Sequence, residues 1–341
     1  MRRLVIFMIG ILSLITISYA SYKLLNSSKF QSVLIYDFNN GTDVFKLEYE
    51  DEFDDNFPNI TATALPIKYL KARYYLQIDS IETAKKLIYR AIKDNPYISA
   101  PEALLAQIYL AEKNIDSALF YSKKAFYNIS DNNRHRDTYF NVLKELNDSI
   151  SLDSAFAKIK NINNEDHWYG YIIARNEINK KPQRNLVKIL EEMQKKYPNT
   201  DTLKLQSMKR FVELGSSRYA SALANSELAK IQFDKGNYVD AAKFYEVSIT
   251  LDNEQYIYFE NAAISYNNLK NYSKAEEYFN KVIYEFKTSD GKSEFFKGLM
   301  FLKNNNSISG CEYLERSARK NYVGGVSGLR AVAVYTQLCK N

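Results

Sequence analysis

The chain has 341 residues, which suits either two ordinary domains or one extended repeat array. Its charged (25%) and hydrophobic (46%) fractions are those of a folded protein, which excludes global disorder, and 11 Gly with 6 Pro argue against a strand-and-turn architecture. The net charge of +6 is spread along the chain, with no Lys/Arg run interleaved with aromatics, so no nucleic-acid partner is expected.

Arg2-Arg3 precede 19 uncharged residues, Leu4 to Tyr22, and Lys23 follows. At about 1.5 Å per residue this run measures about 28 Å, close to a hydrocarbon core of about 30 Å. Two readings stand for residues 1–23. One is a transmembrane signal-anchor through residues 4–22. The other is a signal peptide, with Ser18-Tyr19-Ala20 as a small-x-small cleavage site. The first gives an inner-membrane protein facing the periplasm, the second a periplasmic or secreted one. Both export the rest of the chain, because Arg2 and Arg3 hold the N-terminus inside. No Cys lies near the end of the apolar run, which excludes lipoprotein processing.

Residues 24–60 read in two ways. Ser32 to Phe38 and Asp43 to Tyr49 flank Asn39-Asn40-Gly41-Thr42, as in a β-hairpin with an Asn-Gly turn. Phe30, Val33, Leu34 and Phe38, continued by Phe45, Tyr49 and Phe53, have the spacing of a degenerate helical hairpin. The six acids between Glu48 and Asp55 lack calcium-loop spacing and read as a solvated face.

A first block, 61–215, opens with Ala72, Tyr75, Ala84 and Ala91, which recur 34 residues later as Ala106, Tyr109, Ala118 and Ala125. Small residues are needed where helices cross closely. Most of the 28 Tyr are expected to fill space between helices. Asp79-Ser80 and Asp116-Ser117 stand where oxygen side chains would cap second helices. Residues 133–199 look like two degenerate units, and Thr202 to Leu214 like a helix without an identifiable partner. Gly215-Ser216-Ser217 reads as a joint.

The second block, 218–341, repeats Ala229 and Ala241 as Ala263 and Ala275, again 34 residues on, so that GNYVDAAKFY aligns with KNYSKAEEYF. Gly298 and Gly310 then stand 12 apart where the Ala pairs stood. Gly324-Gly325 precedes a final helix, about Ser327 to Leu338, suited to capping the last apolar face. Cys311 and Cys339 both lie near this end, and an oxidising compartment would allow a disulfide between them.

The 34-residue period, with small, aromatic and turn positions in register, resembles the tetratricopeptide repeat. The resemblance covers about 60–320 and implies an all-α helical-hairpin solenoid, a right-handed superhelix whose first helices line a concave groove for peptides or partner proteins. Carried onto this chain, the groove residues are Tyr69, Arg73 and Leu76, then Ala103, Gln107 and Leu110. In the second block they are Ser226, Lys230 and Phe233, then Ile257, Glu260, Ile264 and Asn267. Some family members hold a C-terminal carboxylate with Lys, Asn and Arg. Asn261 matches one such Asn, but Ser226 stands for the Lys and Lys230 for another Asn.

No catalytic constellation emerges. Gly291-Lys292-Ser293 resembles the end of a phosphate loop, with Phe286 in place of its first Gly. His135 and His167 have no metal-ligand pattern around them, so no cofactor or metal is expected. The expectation is a noncatalytic envelope scaffold binding a protein or peptide. The alternative is an envelope ligand-binding protein for glycan or nutrient uptake, with Trp168, Tyr169 and Tyr171 as its aromatic platform.

Overall fold

The computed structural model describes residues 2–40, 59–61, 63–324 and 329–340. They are helical almost throughout and form two compact units. Unit 1 is Met1–Ile178 with Glu192–Tyr197, and unit 2 is Asn179–Glu191 with Pro198–Asn341.

Unit 1 begins with one long helix, α1 (Arg2–Asn40), followed by helices α2 (Ile67–Gln77), α3 (Ile81–Asp94), α4 (Ala100–Ala111), α5 (Ile115–Asn128), α6 (Asn133–Glu145), α7 (Ser149–Ile159) and α8 (Asp166–Asn179). Helix α9 (Arg184–Lys196) follows. Residues of α1 from Val5 to Leu25 are exposed nearly all round, as a lipid-facing span requires, and the helix is long and apolar enough to cross a membrane. Beyond them α1 becomes one-sided. Ser27, Leu34 and Asp37 are buried, and Phe30, Val33 and Leu34 join the core with Ile67, Leu70 and Tyr74. The Asn-Gly hairpin reading places a strand over 32–38, and those residues are helical. Its turn beyond Asn40 and its second strand lie outside the described residues.

Six hairpin turns share a left-handed residue, and five of them share a side-chain cap. The last residue before the second helix's cap is left-handed at Asp79, Lys113, Asn147, Lys270 and Asn305, and Gly236 supplies the sixth case. The next residue caps the second helix. Asn114, Asp148, Asn237, Asn271 and Asn306 each accept from the backbone N–H three residues on. This corrects the expected caps. Ser80 makes no capping bond and donates instead to Thr83 Oγ1, and α5 is capped by Asn114 rather than by Asp116-Ser117.

The crossing positions hold a 34-residue register further than small residues alone reveal. Ala72, Ala84 and Ala91 are followed by Ala106, Ala118 and Ala125, then by Phe140, Leu152 and Ile159, and all are buried. The next step, Ala174, Leu186 and Met193, is buried as well. The degenerate stretch therefore keeps the repeat and changes only the size of its filling. Ion pairs with one buried partner tie several hairpins: Lys68 to Asp94 at 2.8 Å, Lys124 to Glu102 at 3.1 Å and, in unit 2, Lys320 to Glu294 at 2.5 Å.

Unit 2 contains α10 (Thr202–Leu214), α11 (Ser216–Asp234), α12 (Tyr238–Leu251), α13 (Tyr256–Asn268), α14 (Tyr272–Asn280), α15 (Lys292–Lys303) and α16 (Ser307–Arg319). A π-helical turn, Lys281–Phe286, extends α14. Gly298 and Gly310 mark the closest approach of α15 and α16: a Cβ on Gly298 would lie 3.0 Å from the Gly310 carbonyl oxygen, and one on Gly310 would lie 2.7 Å from Leu302. The final helix starts later than expected. Two-residue strands β1 (Val323–Gly324) and β2 (Leu329–Arg330) pair first, and α17 (Ala331–Cys339) follows. Helix α17 packs on Phe295 and Leu314 through Ala331, and a Cys311–Cys339 disulfide ties it to α16.

Successive hairpins are also joined by a recurring polar and aromatic clasp. In unit 1 the Tyr89 and Tyr109 hydroxyls bond at 2.6 Å and Tyr109 stacks on Tyr121. At the matching positions of unit 2, Tyr266 and Tyr278 donate to Glu246 Oε1 at 2.6 and 3.2 Å, and Lys274 pairs with the same oxygen. Burial works against the Glu246 carboxylate, but these three donors outweigh it and hold its pKa below the ordinary range.

Candidate functional site

The first helices of unit 1 bring a small set of polar side chains together. Tyr69 of α2 is buried to 2% exposure, its ring under the Arg73 guanidinium at 5.7 Å. Arg134 Nη1 of α6 donates to the Tyr69 hydroxyl at 3.3 Å, although the two residues belong to hairpins two steps apart. The helix between them, α4, carries the buried Ala103 at the position matching Tyr69, so nothing bulky intervenes. Side chains two hairpins apart can meet only where the hairpins bend toward each other, so this is the inner side of unit 1's first-helix face. Burial lowers the Arg73 pKa and the Arg134 charge lowers it further, while Tyr69 opposes both. Two cations thus share one tyrosine. Exposed Gln107 donates to Thr138 Oγ1 at 2.9 Å, and Thr138 Oγ1 donates to the Arg134 carbonyl at 2.8 Å, which fixes the first turn of α6. Leu76 is half-buried at the edge of the core.

Arg134 and Thr138 were not among the residues read from the sequence. They lie in the degenerate third hairpin, where large residues hide the register. The groove register carried 34 residues on from Ala103 and Gln107 lands on Asp137 and Asn141, so spacing did not point to either residue.

In unit 2 the expected residues separate. Lys230 and Ile257 are exposed, the latter at 43%. Phe233 is half-buried, edge-on to Tyr238 at 5.2 Å. Glu260 is buried, takes a hydrogen bond from Ser293 Oγ at 2.8 Å and pairs with Lys292 at 2.8 Å. Lys292 also reaches Asn261 Oδ1 at 3.4 Å. The cation beside Asn261 is therefore already neutralised from within, which removes it as an anchor for a free carboxylate. Asn267 is half-buried, and its covered Oδ1 has no hydrogen-bond partner.

The aromatic platform of the ligand-binding alternative does not exist as a surface. Trp168, Tyr169 and Tyr171 are all buried. Phe156 stacks on Tyr171 at 4.0 Å and meets Trp168 edge-on at 5.1 Å, and Lys196 lies over the indole at 5.7 Å. Among the described residues no group of three or more His, Cys, Asp or Glu is placed to hold a metal ion.

Stacked antiparallel hairpins in a 34-residue register, each closed by small residues at fixed positions, define a tetratricopeptide-type helical-repeat protein. Residues 258–286, which run from within α13 through α14 and its π-helical extension, match the family model described as tetratricopeptide repeat. No curated protein matches the chain. Among solved structures, pilF of Pseudomonas aeruginosa aligns at 15% identity over 74% of this chain and 89% of its own, with a TM-score of 0.26. A tetratricopeptide repeat protein from Parabacteroides merdae aligns at 13% identity over 80% of this chain and 98% of its own, with a TM-score of 0.34. Superpositions this loose carry no argument about the chain's function.

Proposed function

We propose that this chain is a noncatalytic scaffold of the bacterial cell envelope that holds a peptide segment or partner protein along the first-helix face of unit 1. The observation that carries this reading is the convergence of Arg73 and Arg134 on Tyr69, beside exposed Gln107. Two guanidinium groups beside a polar amide are the chemistry that recognises a carboxylate-bearing peptide segment. On the matching face of unit 2, Glu260 pairs with Lys292, and Lys230, Phe233 and Ile257 are the contacts of a secondary surface.

The envelope location rests on two features. Residues 5–25 form an exposed apolar helix, and the Cys311–Cys339 disulfide suits an oxidising compartment. We read α1 as an uncleaved anchor, since the helix runs unbroken through Ser18-Tyr19-Ala20 into the residues that pack on α2.

A photo-crosslinking residue at position 107, in otherwise native full-length chain, tests the groove in cells. The expected result is a discrete crosslinked envelope protein. Arg73→Glu with Arg134→Glu weakens its binding by at least about tenfold, since a hydrogen bond to a charged group contributes about 1.5–3 kcal/mol. An adduct pattern unchanged in that double variant sinks the assignment.

A further inference from the structure

The chain contains two histidines, and both are buried in the same part of unit 1, although neither belongs to the first-helix face just described. His167, in the first turn of α8, has no exposed surface. Its Nδ1 lies 2.8 Å from Arg136 Nη1 of α6, and its Nε2 lies 3.1 Å from Asp131 Oδ1, in the turn before α6. Arginine only donates and stays charged, so Nδ1 accepts and the ring proton sits on Nε2, where it is donated to Asp131. The two partners thereby select one neutral tautomer.

The surrounding bonds make this a joint between the starts of α6 and α8. Arg136, buried to 4% exposure, also donates to Asn133 Oδ1 at 2.9 Å and to Asp137 Oδ1 at 2.7 Å. Asn164 donates to Asn133 Oδ1 at 3.0 Å, and Asn133 donates to Asp166 Oδ2 at 3.0 Å. A ring added to this joint as a cation would place an N–H against an N–H, with two buried positive charges in contact. Of the acids that face it, Asp131 is 64% exposed on its side chain and Asp166 is exposed, so solvent screens both. Asp137, also exposed, is already turned on Arg136.

We propose that the Asp131–His167–Arg136 contact is an acid-sensitive joint, intact while His167 is neutral and opened when the ring takes a second proton. Opening separates the first turns of α6 and α8 and leaves the α2–α3 and α4–α5 hairpins folded, because none of the bonds of His167 reaches them. An exported chain is exposed to the acidity of its surroundings, so the joint would respond to conditions that a cytoplasmic protein does not meet. Burial first, and then the Arg136 charge, lower the His167 pKa, with Asp131 and Asp166 opposing. A depressed folded-state pKa means that the joint's contribution is present above the unfolded value of about 6.5 and is lost as the pH falls through the folded value. His135, also buried and also lowered, faces the Ile129 and Ala125 carbonyls and the Arg134 charge, and it supplies the internal control.

The test uses the full chain in detergent. At neutral pH, nitrogen NMR of the ring should show the Nε2–H tautomer, and a ring already protonated there overturns the proposal. Amide exchange of residues 132–138 and 164–170, corrected for intrinsic rates, should accelerate at least about tenfold between about pH 7 and pH 5. His167→Gln, which cannot titrate, should flatten that change to under about twofold, while His135→Gln should leave most of it in place. Where His167→Gln fails to fold, Arg136→Gln serves instead: removing the cation should raise the ring's titration midpoint. Unchanged exchange down to about pH 5, an unmoved midpoint in Arg136→Gln, or a His167→Gln chain as acid-sensitive as wild type refutes the proposal.

Discussion

At the scale of single residues, the fold is set by what fits where two helices cross. Ala263 and Ala275 are fully buried, as are Ala229 and Ala241 one repeat earlier. Ala263→Leu forces extra methylenes into this crossing and should cost about 1–3 kcal/mol in urea unfolding. Ala224→Leu, on the exposed side of α11, should stay within about 0.5 kcal/mol. Equal effects at the two sites would show that crossing distance does not limit the repeat. The third hairpin qualifies the rule, because Phe140, Leu152 and Ile159 fill the same register with large side chains. The register there is held by larger side chains at all three positions, so a search for small residues passes over that hairpin.

At the scale of elements, the ends of the array need special closure. Helix α17 is nine residues long, and Ala331 is its one buried residue. So short an isolated helix is marginal in water, and its tie to α16 through Cys311–Cys339 matters more than it would in mid-array. With the two cysteines 28 positions apart, replacing both by Ser should cost about 2–4 kcal/mol. Hydrogen exchange should locate the loss in 331–339 and the α15–α16 face, and leave α2–α5 protected. Uniform loss across both units would instead make the bond part of a single cooperative fold. At the other end, α1 covers the first hairpin with Phe30, Val33 and Leu34, so one helix serves as both apolar span and cap.

At the scale of the whole molecule, the shared helix makes a separable prediction. The purified chain should yield an N-terminal peptide containing residues 4–20, and it should resist carbonate extraction from membranes. A mature start at Ser21 would establish cleavage and a soluble product. Removing residues 2–22 should release a folded chain, because the packing side chains begin at Ser27. Loss of folding in that truncation would show that the span contributes to the cap.

Sequence alone determined the repeat period, the all-α class, the two strong hairpin pairs and the apolar N-terminal segment. Each of these is written in local spacing, and the period of 34 can be read from either strong pair of hairpins. Turn chemistry was half legible. Gly236-Asn237 and Lys270-Asn271 were visible as turns, but capping at Asn114 rather than at Asp116-Ser117 depended on which residue turned left-handed. Only the tertiary structure decided the state of each first-helix side chain. Glu260 faces the right way by register yet is consumed by Ser293 and Lys292, and Trp168 is packed away by Phe156 and Lys196. Arg134 meets Tyr69 across 65 residues, and His167 meets Arg136 across 31. Such meetings depend on how the hairpins of a unit bend toward one another. That bend is a sum over every crossing, and no local stretch of sequence contains it.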